Sequence, residues 1–285
     1  MKRESFSHRG GGECLAVFLA LSLALFIGVG KGIGYAQGDG AENRLNGAFV
    51  SRLGHDLKTV ITEPSRWDRN DLLVLAAVSG SGLLLLSFDR EIQDWVQERR
   101  TDSSDKTSSC LRLFGDGAFL VGLSAAIYAG GEIGHDDSVR KTALLSLESL
   151  AVSSAIAWTL KIVTGRARPY TAESSASFHP FASKSRFWSF PSGHAAAAFS
   201  VATIIALQSR PAIVDALAYS LAGLVAMSRV HDNEHWASDV FIGSLLGCFV
   251  ARKIADLNRP GERKTLGLGF HCQRNRQVLT LSIAF

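Results

Sequence analysis

The stretch Ser228-Arg229-Val230-His231-Asp232-Asn233-Glu234-His235-Trp236-Ala237-Ser238-Asp239 lies between two apolar blocks and carries two histidines, three carboxylates and an arginine. His235 and Asp239 are four positions apart, a spacing at which side chains on a helix meet. A carboxylate on one ring nitrogen of a histidine fixes the tautomer. It leaves the other nitrogen free to attack, and it stabilises the cation that follows. A surface ion pair is the ordinary reading of one such pair standing alone.

Upstream, Pro191-Ser192-Gly193-His194 directly precedes another apolar block. Ser192 suits the cap of a helix, and Gly193 lets a ligand approach the backbone. Amides at a helix start attract phosphate. By itself this is a capped helix with an incidental His194. Further back, Lys161 is followed by six residues and then Arg168-Pro169. Seven residues make about two helical turns, so Lys161 and Arg168 are expected on one face, with Pro169 discouraging helix for the residue before it. Alone, this is a basic helix end at an interface.

Around these clusters run six apolar blocks, at 72–88, 114–131, 142–163, 195–207, 212–227 and 240–250. None alternates as a strand would, and their alanine and leucine content favours helices. Helices that alternate in direction bring the three polar clusters to one end of a bundle. Lys161, Arg168 and Arg229 then surround His194 and His235, an arrangement suited to a phosphate dianion, because phosphoryl transfer depends on positioning and charge stabilisation.

The same three clusters, in the same order, resemble the signature of the type 2 phosphatidic acid phosphatase (PAP2) and vanadium haloperoxidase superfamily, which also includes bacterial nonspecific acid phosphatases. The resemblance covers Lys161 to Asp239 directly and the helices through about Val250 by pattern. It implies an all-helical bundle of about six core helices in which His235 attacks phosphorus, Asp239 orients it and His194 protonates the leaving oxygen. It implies that Lys161, Arg168, Ser192, Gly193 and Arg229 hold the phosphate, and that no metal or other cofactor is needed. The segment from Tyr170 to Trp188 lies between the first two clusters and is expected either to cover the site or to be an ordinary surface loop.

Two rivals share these residues. His231-Asp232-Asn233-Glu234-His235 spells an inverted zinc-protease pattern, with two histidines one helical turn apart and an adjacent acid, but shows no third ligand and leaves the upstream clusters without a role. A haloperoxidase would place the same side chains around vanadate, ligated through His235. Those enzymes are usually larger, and this chain leaves little room for extra helices. A non-catalytic membrane protein is a third reading, opposed by the intact histidine pair.

The rest of the chain bounds the setting. Lys2, Arg3 and Arg9, an apolar run at 15–29, and the small residues Gly34 and Ala36 read as an export signal or an N-terminal anchor over 1–36. A polar segment over 37–71, a helical domain over 72–258 and a tail over 259–285 follow. In the tail, Leu279, Leu281, Ile283 and Phe285 alternate with small or polar residues, so residues 266–272 are expected to pair with them as a short β-hairpin. Outside the signal there are three cysteines, Cys110, Cys248 and Cys272, too few and too irregular for a disulfide framework. At most one bridge is possible, and buried free thiols are expected. The net charge of +4 is spread through the chain, which is no nucleic-acid footprint.

Membrane association is expected, with a phosphate ester of a lipid as the first substrate and a soluble phosphate ester as the alternative. Spanning takes about 20 apolar residues, and several blocks are shorter or carry Glu148 or Asp215. The basic residues Arg252, Lys253, Arg259, Arg263 and Lys264 prefer the cytoplasmic side, opposite the polar clusters, which places the latter on the periplasmic side. With an exported N-terminus and all of the first three blocks spanning, the parity would be wrong. Either one early block does not span, or the bundle is not transmembrane.

Overall fold

The computed structural model describes residues 44–209, 211–259, 269–271 and 280–282. The signal expected over 1–36 lies outside them. Eight α-helices occur among the described residues: α1 Gly47–Thr62, α2 Arg69–Glu98, α3 Asp102–Leu111, α4 Gly117–Ile133, α5 Asp137–Thr164, α6 Gly193–Gln208, α7 Ala212–His231 and α8 Ala237–Leu257. Their starts follow from local chemistry. Asn46, Asp68, Thr101, Asp116, Asp136 and Ser192 each accept a first-turn amide through the side chain, and Asp68 and Thr101 form reciprocal capping boxes.

The bundle is larger than the six-helix core expected, which is not confirmed as such. α1 arises within the polar 37–71 segment. The charged stretch after residue 88 does not end the second helix, because Asp89 and Gln93 are buried on one side while Arg90, Glu91 and Asp94 face solvent. Charge at helical spacing continues a helix as readily as apolar residues do, provided that the inward groups find partners.

α6 is the central element, packed by α5, α7 and α8. It is buried almost all round, from Ala195 through Ile205, which is why its sequence shows no polar face. One core joins Leu120, Val201, Ile205, Ala218 and Val225 across α4, α6 and α7. A second joins Val60, Leu145, Ile204, Val250 and Ile254 across α1, α5, α6 and α8. Full burial of each leucine, isoleucine or valine among these contributes about 1.5–3 kcal/mol.

Among the described residues three helices, α2, α5 and α7, are long and apolar enough to cross a membrane. α3 with its following turn and α4 form a further apolar pair bent by 58°. α2 turns Leu72, Leu73, Leu83, Leu84 and Phe88 outward, each at least half exposed. Acyl chains are the solvent that such a surface fits. α6, with 16 residues, is too short to span by that measure.

In the tail, Gly269–His271 and Thr280–Ser282 pair antiparallel. This short ladder does not support the hairpin expected over 259–285, whose turn and remaining residues lie outside the described ones. The cysteine expectation is corrected in part: Cys110 is disulfide-bonded, whereas Cys248 is a free thiol.

Candidate active site

The end of α5 sets up the first part of the site. Lys161 is buried in its last turn, where Nζ donates to the Trp188 carbonyl at 2.8 Å. The helix stops at Thr164 because Gly165 adopts φ +58°, and a Cβ there would land 1.7 Å from the His179 carbonyl oxygen. Arg168 is therefore extended, not helical, and its amide donates to the Arg186 carbonyl at 2.9 Å. The shared helix face expected for Lys161 and Arg168 does not exist. The turn brings the two side chains together by another route.

Ser192 caps α6 through its hydroxyl, and its amide donates to the Asp239 carbonyl at 2.9 Å. That bond ties the second cluster to the third. Gly193 opens toward Lys161, whose Cε would lie 3.7 Å from a Cβ at that position. His194 follows in the first turn, packed against Gly115, where a Cβ would come within 3.0 Å of the His194 Cβ.

His235 lies in the connection between α7 and α8, one residue before the cap Trp236, and not on the helix. Its Nδ1 donates to the Ser189 carbonyl oxygen at 2.7 Å, whereas the nearest Asp239 oxygen is 4.0 Å away. The direct pairing expected from the four-residue spacing is thus replaced by a relay. The spacing rule requires both residues to be helical, and His235 is not. Ser189 Oγ donates to Asp239 Oδ2 at 2.5 Å, and the Trp236 amide donates to the same oxygen at 3.0 Å. The Nε2 of His235 has no partner among the described residues.

Arg166 is the residue that sequence reasoning missed. It is 1% exposed and reaches between helices, pairing with Asp89 at 2.7 Å and with Asp239, and donating to Ser238 Oγ and the Ser175 carbonyl at 2.8 Å each. Asp89 in turn accepts from the Ser238 amide at 2.8 Å. A buried charge network of this kind persists only when every member is satisfied. The signal available was a second arginine in Gly165-Arg166-Ala167-Arg168 and an acid at the border of the first apolar block. Trp236 adds a further tie, its indole donating to the Ala167 carbonyl at 2.9 Å.

The electrostatics follow from this gathering. His235 is pushed well below the ordinary histidine range, first by burial and then by the charges of Lys161, Arg168, His194 and Arg229. Burial and the Arg229 charge, with smaller effects from Lys161 and Arg168, lower His194 to about 4, against an opposing effect of Asp116. Each histidine therefore senses all three cations. Arg168 is held by Glu234 and Arg229 by Asp232, while the buried Nε of each guanidinium has no partner among the described residues. Donors without acceptors around two neutral imidazoles suit an oxyanion.

The segment from Tyr170 to Trp188 is pinned to the end of α5 by the bonds His179 N to Gly165 O at 2.7 Å and Phe181 N to Ile162 O at 2.8 Å. The two histidines of the zinc-protease pattern face different elements: His231 Nε2 lies 2.8 Å from Ser104 Oγ on α3, and His235 is held by Ser189. Among the described residues no three His, Cys, Asp or Glu side chains gather as a metal set.

Residues 142–258 match the model of the PAP2 superfamily. Over 64 residues the chain is 42% identical to a lipid A 1-phosphatase of Porphyromonas gingivalis, a match that covers 22% of this chain and only 14% of that protein. A lipid A 1-phosphatase of Rhizobium johnstonii is 29% identical over 204 residues, covering 65% of this chain and 78% of that protein. The fold resembles the crystal structure of a transmembrane PAP2 type phosphatidylglycerolphosphate phosphatase from Bacillus subtilis. That likeness has a TM-score of 0.53 at 24% identity, over 66% of this chain and 97% of that one.

Proposed function

From a chain whose residues 142–258 match the PAP2 superfamily model, we propose a membrane-associated phosphatase that hydrolyses the phosphate ester of a lipid through a phosphohistidine at His235. The observation that carries this reading is the state of His235. Its Nδ1 proton is committed to the Ser189 carbonyl, so Nε2 holds the lone pair, in a site that also holds Lys161, Arg168 and Arg229.

In the first step the Nε2 lone pair forms a bond to phosphorus and the ester P–O bond breaks. His194, protonated in the substrate complex, gives its proton to the departing oxygen. Lys161, Arg168, Arg229 and the first-turn amides at Gly193 and His194 hold the phosphoryl oxygens and offset the charge that develops on them. In the second step neutral His194 takes a proton from water, whose oxygen bonds to phosphorus as the P–N bond breaks. Orthophosphate leaves and His235 is restored.

Asp239 acts at one remove. It holds the Ser189 hydroxyl and the Trp236 amide, which fix the carbonyl that holds His235, and its charge favours the cationic imidazole formed in the first step.

A lipid substrate is supported by the outward apolar face of α2 and by the relatives that bear the name lipid A 1-phosphatase. Arg252 and Lys253 lie in the last turns of α8 and Arg259 follows its end, so the positive-inside preference supports a site facing the periplasmic side of an exported chain. The test is turnover by the purified full chain in micelles, on a lipid phosphate monoester and on a soluble aryl phosphate. Faster turnover of the lipid supports the proposal, and no turnover of either ester sinks it.

A further inference from the structure

The turn from His231 to Glu234 sets two carboxylates against cations of the site, Asp232 on Arg229 and Glu234 on Arg168. The two are not alike. Asp232 is fixed: its Oδ1 accepts from Ser108 Oγ of α3 at 2.5 Å, and its amide donates to the Ser228 carbonyl at 2.9 Å. Glu234 has Arg168 as its one side-chain partner among the described residues, and its side chain is 35% exposed. The turn beside it is anchored, because Gln93 of α2 donates to the Val230 carbonyl at 3.2 Å and to Asn233 Oδ1 at 2.6 Å, and the Glu234 amide donates to the Arg229 carbonyl at 3.2 Å. The Glu234 side chain can thus leave Arg168 for water without moving the turn.

We infer that Glu234 is a resident carboxylate that stands on Arg168 in place of the substrate's phosphate, so that a phosphate group binds by displacing it. This rests on the phosphate-site reading above. Glu234 occupies the Nη1 of Arg168, and an N–H group that serves this carboxylate cannot at the same time serve a phosphate. A phosphate dianion carries twice the charge and is also drawn by Lys161 and Arg229, so it wins the exchange. Orthophosphate left after hydrolysis meets the same competitor, and the return of Glu234 to Arg168 favours its departure.

The test measures orthophosphate binding to the full chain in micelles by titration calorimetry, and as competitive inhibition of turnover. Glu234→Gln keeps the shape and removes the charge. It is expected to bind orthophosphate about two- to fivefold more tightly, the range of a partly exposed ion pair, and to show stronger product inhibition. Glu234→Ala must move in the same direction. In an Arg168→Ala background the Glu234→Gln change is expected to have no effect, since the competition is for that guanidinium. Unchanged or weaker phosphate binding by Glu234→Gln, with Arg168→Ala still impaired, overturns the displacement alone. Unchanged phosphate binding by Arg168→Ala overturns the phosphate site and the displacement together.

Discussion

His235 and Asp239 do not touch: the imidazole Nδ1 donates to the Ser189 carbonyl at 2.7 Å, and the Asp239 carboxylate stands 4.0 Å off, holding the Ser189 hydroxyl. Asp239 therefore positions the histidine through a third residue. Ser189→Ala is expected to lower kcat while leaving KM near its original value, because the carbonyl remains but loses its anchor. The lost bond to a charged group is worth about 1.5–3 kcal/mol. If Ser189→Ala matches the wild type while Asp239→Asn does not, the relay is not the path.

Arg166 joins α2 and α8 through Asp89 and Asp239, all three side chains being buried. Removing one partner of a buried pair leaves an uncompensated charge, at a cost of about 3–5 kcal/mol. Arg166→Ala is therefore expected to unfold at markedly lower denaturant concentration in micelles. Equal stability of Arg166→Ala and the wild type would mean that the network contributes nothing.

The pH dependence follows from His194, lowered to about 4, and from His235, held well below the ordinary histidine range by burial and the surrounding cations. Turnover requires one proton shared between His194 and a phosphate whose second pKa is about 6. Between those values the enzyme is neutral at His194 and the ester supplies the proton. Above about pH 6 the proton is lost, and below about pH 4 there is one too many. The expected profile of kcat/KM is a plateau between these limits, falling on both sides. An acid limb near 6.5, the ordinary histidine value, would contradict the electrostatics described.

At Gly165 the left-handed φ and the His179 carbonyl leave no room for a Cβ. Gly165→Ala is expected to displace both Arg166 and Arg168, and so to lower turnover and stability together. Normal kinetics in that variant would show that the turn tolerates rearrangement.

What the sequence made legible, and what it did not, divides along physical lines. The apolar blocks read as helices because burial leaves a compositional trace, and Ser192 read as a cap because its hydroxyl sits beside a helix start. The spacing arguments for Lys161 with Arg168 and for His235 with Asp239 failed locally for one reason. Each pair straddles a helix end, where Gly165 and Trp236 take the backbone out of helical geometry. Convergence survived because tertiary packing, not helical period, sets those positions. Arg166 and Asp89 were hidden, since a buried charge pair separated by 77 positions leaves no periodic trace.

The most direct measurement is to mix the full chain with a lipid phosphate monoester labelled at phosphorus, quench with base within a turnover, and map the label by mass spectrometry. The expected result is an acid-labile, base-stable phosphoryl group on His235, absent from His235→Ala, which also loses turnover. A label on another side chain, or turnover by His235→Ala near the wild-type rate, would contradict it.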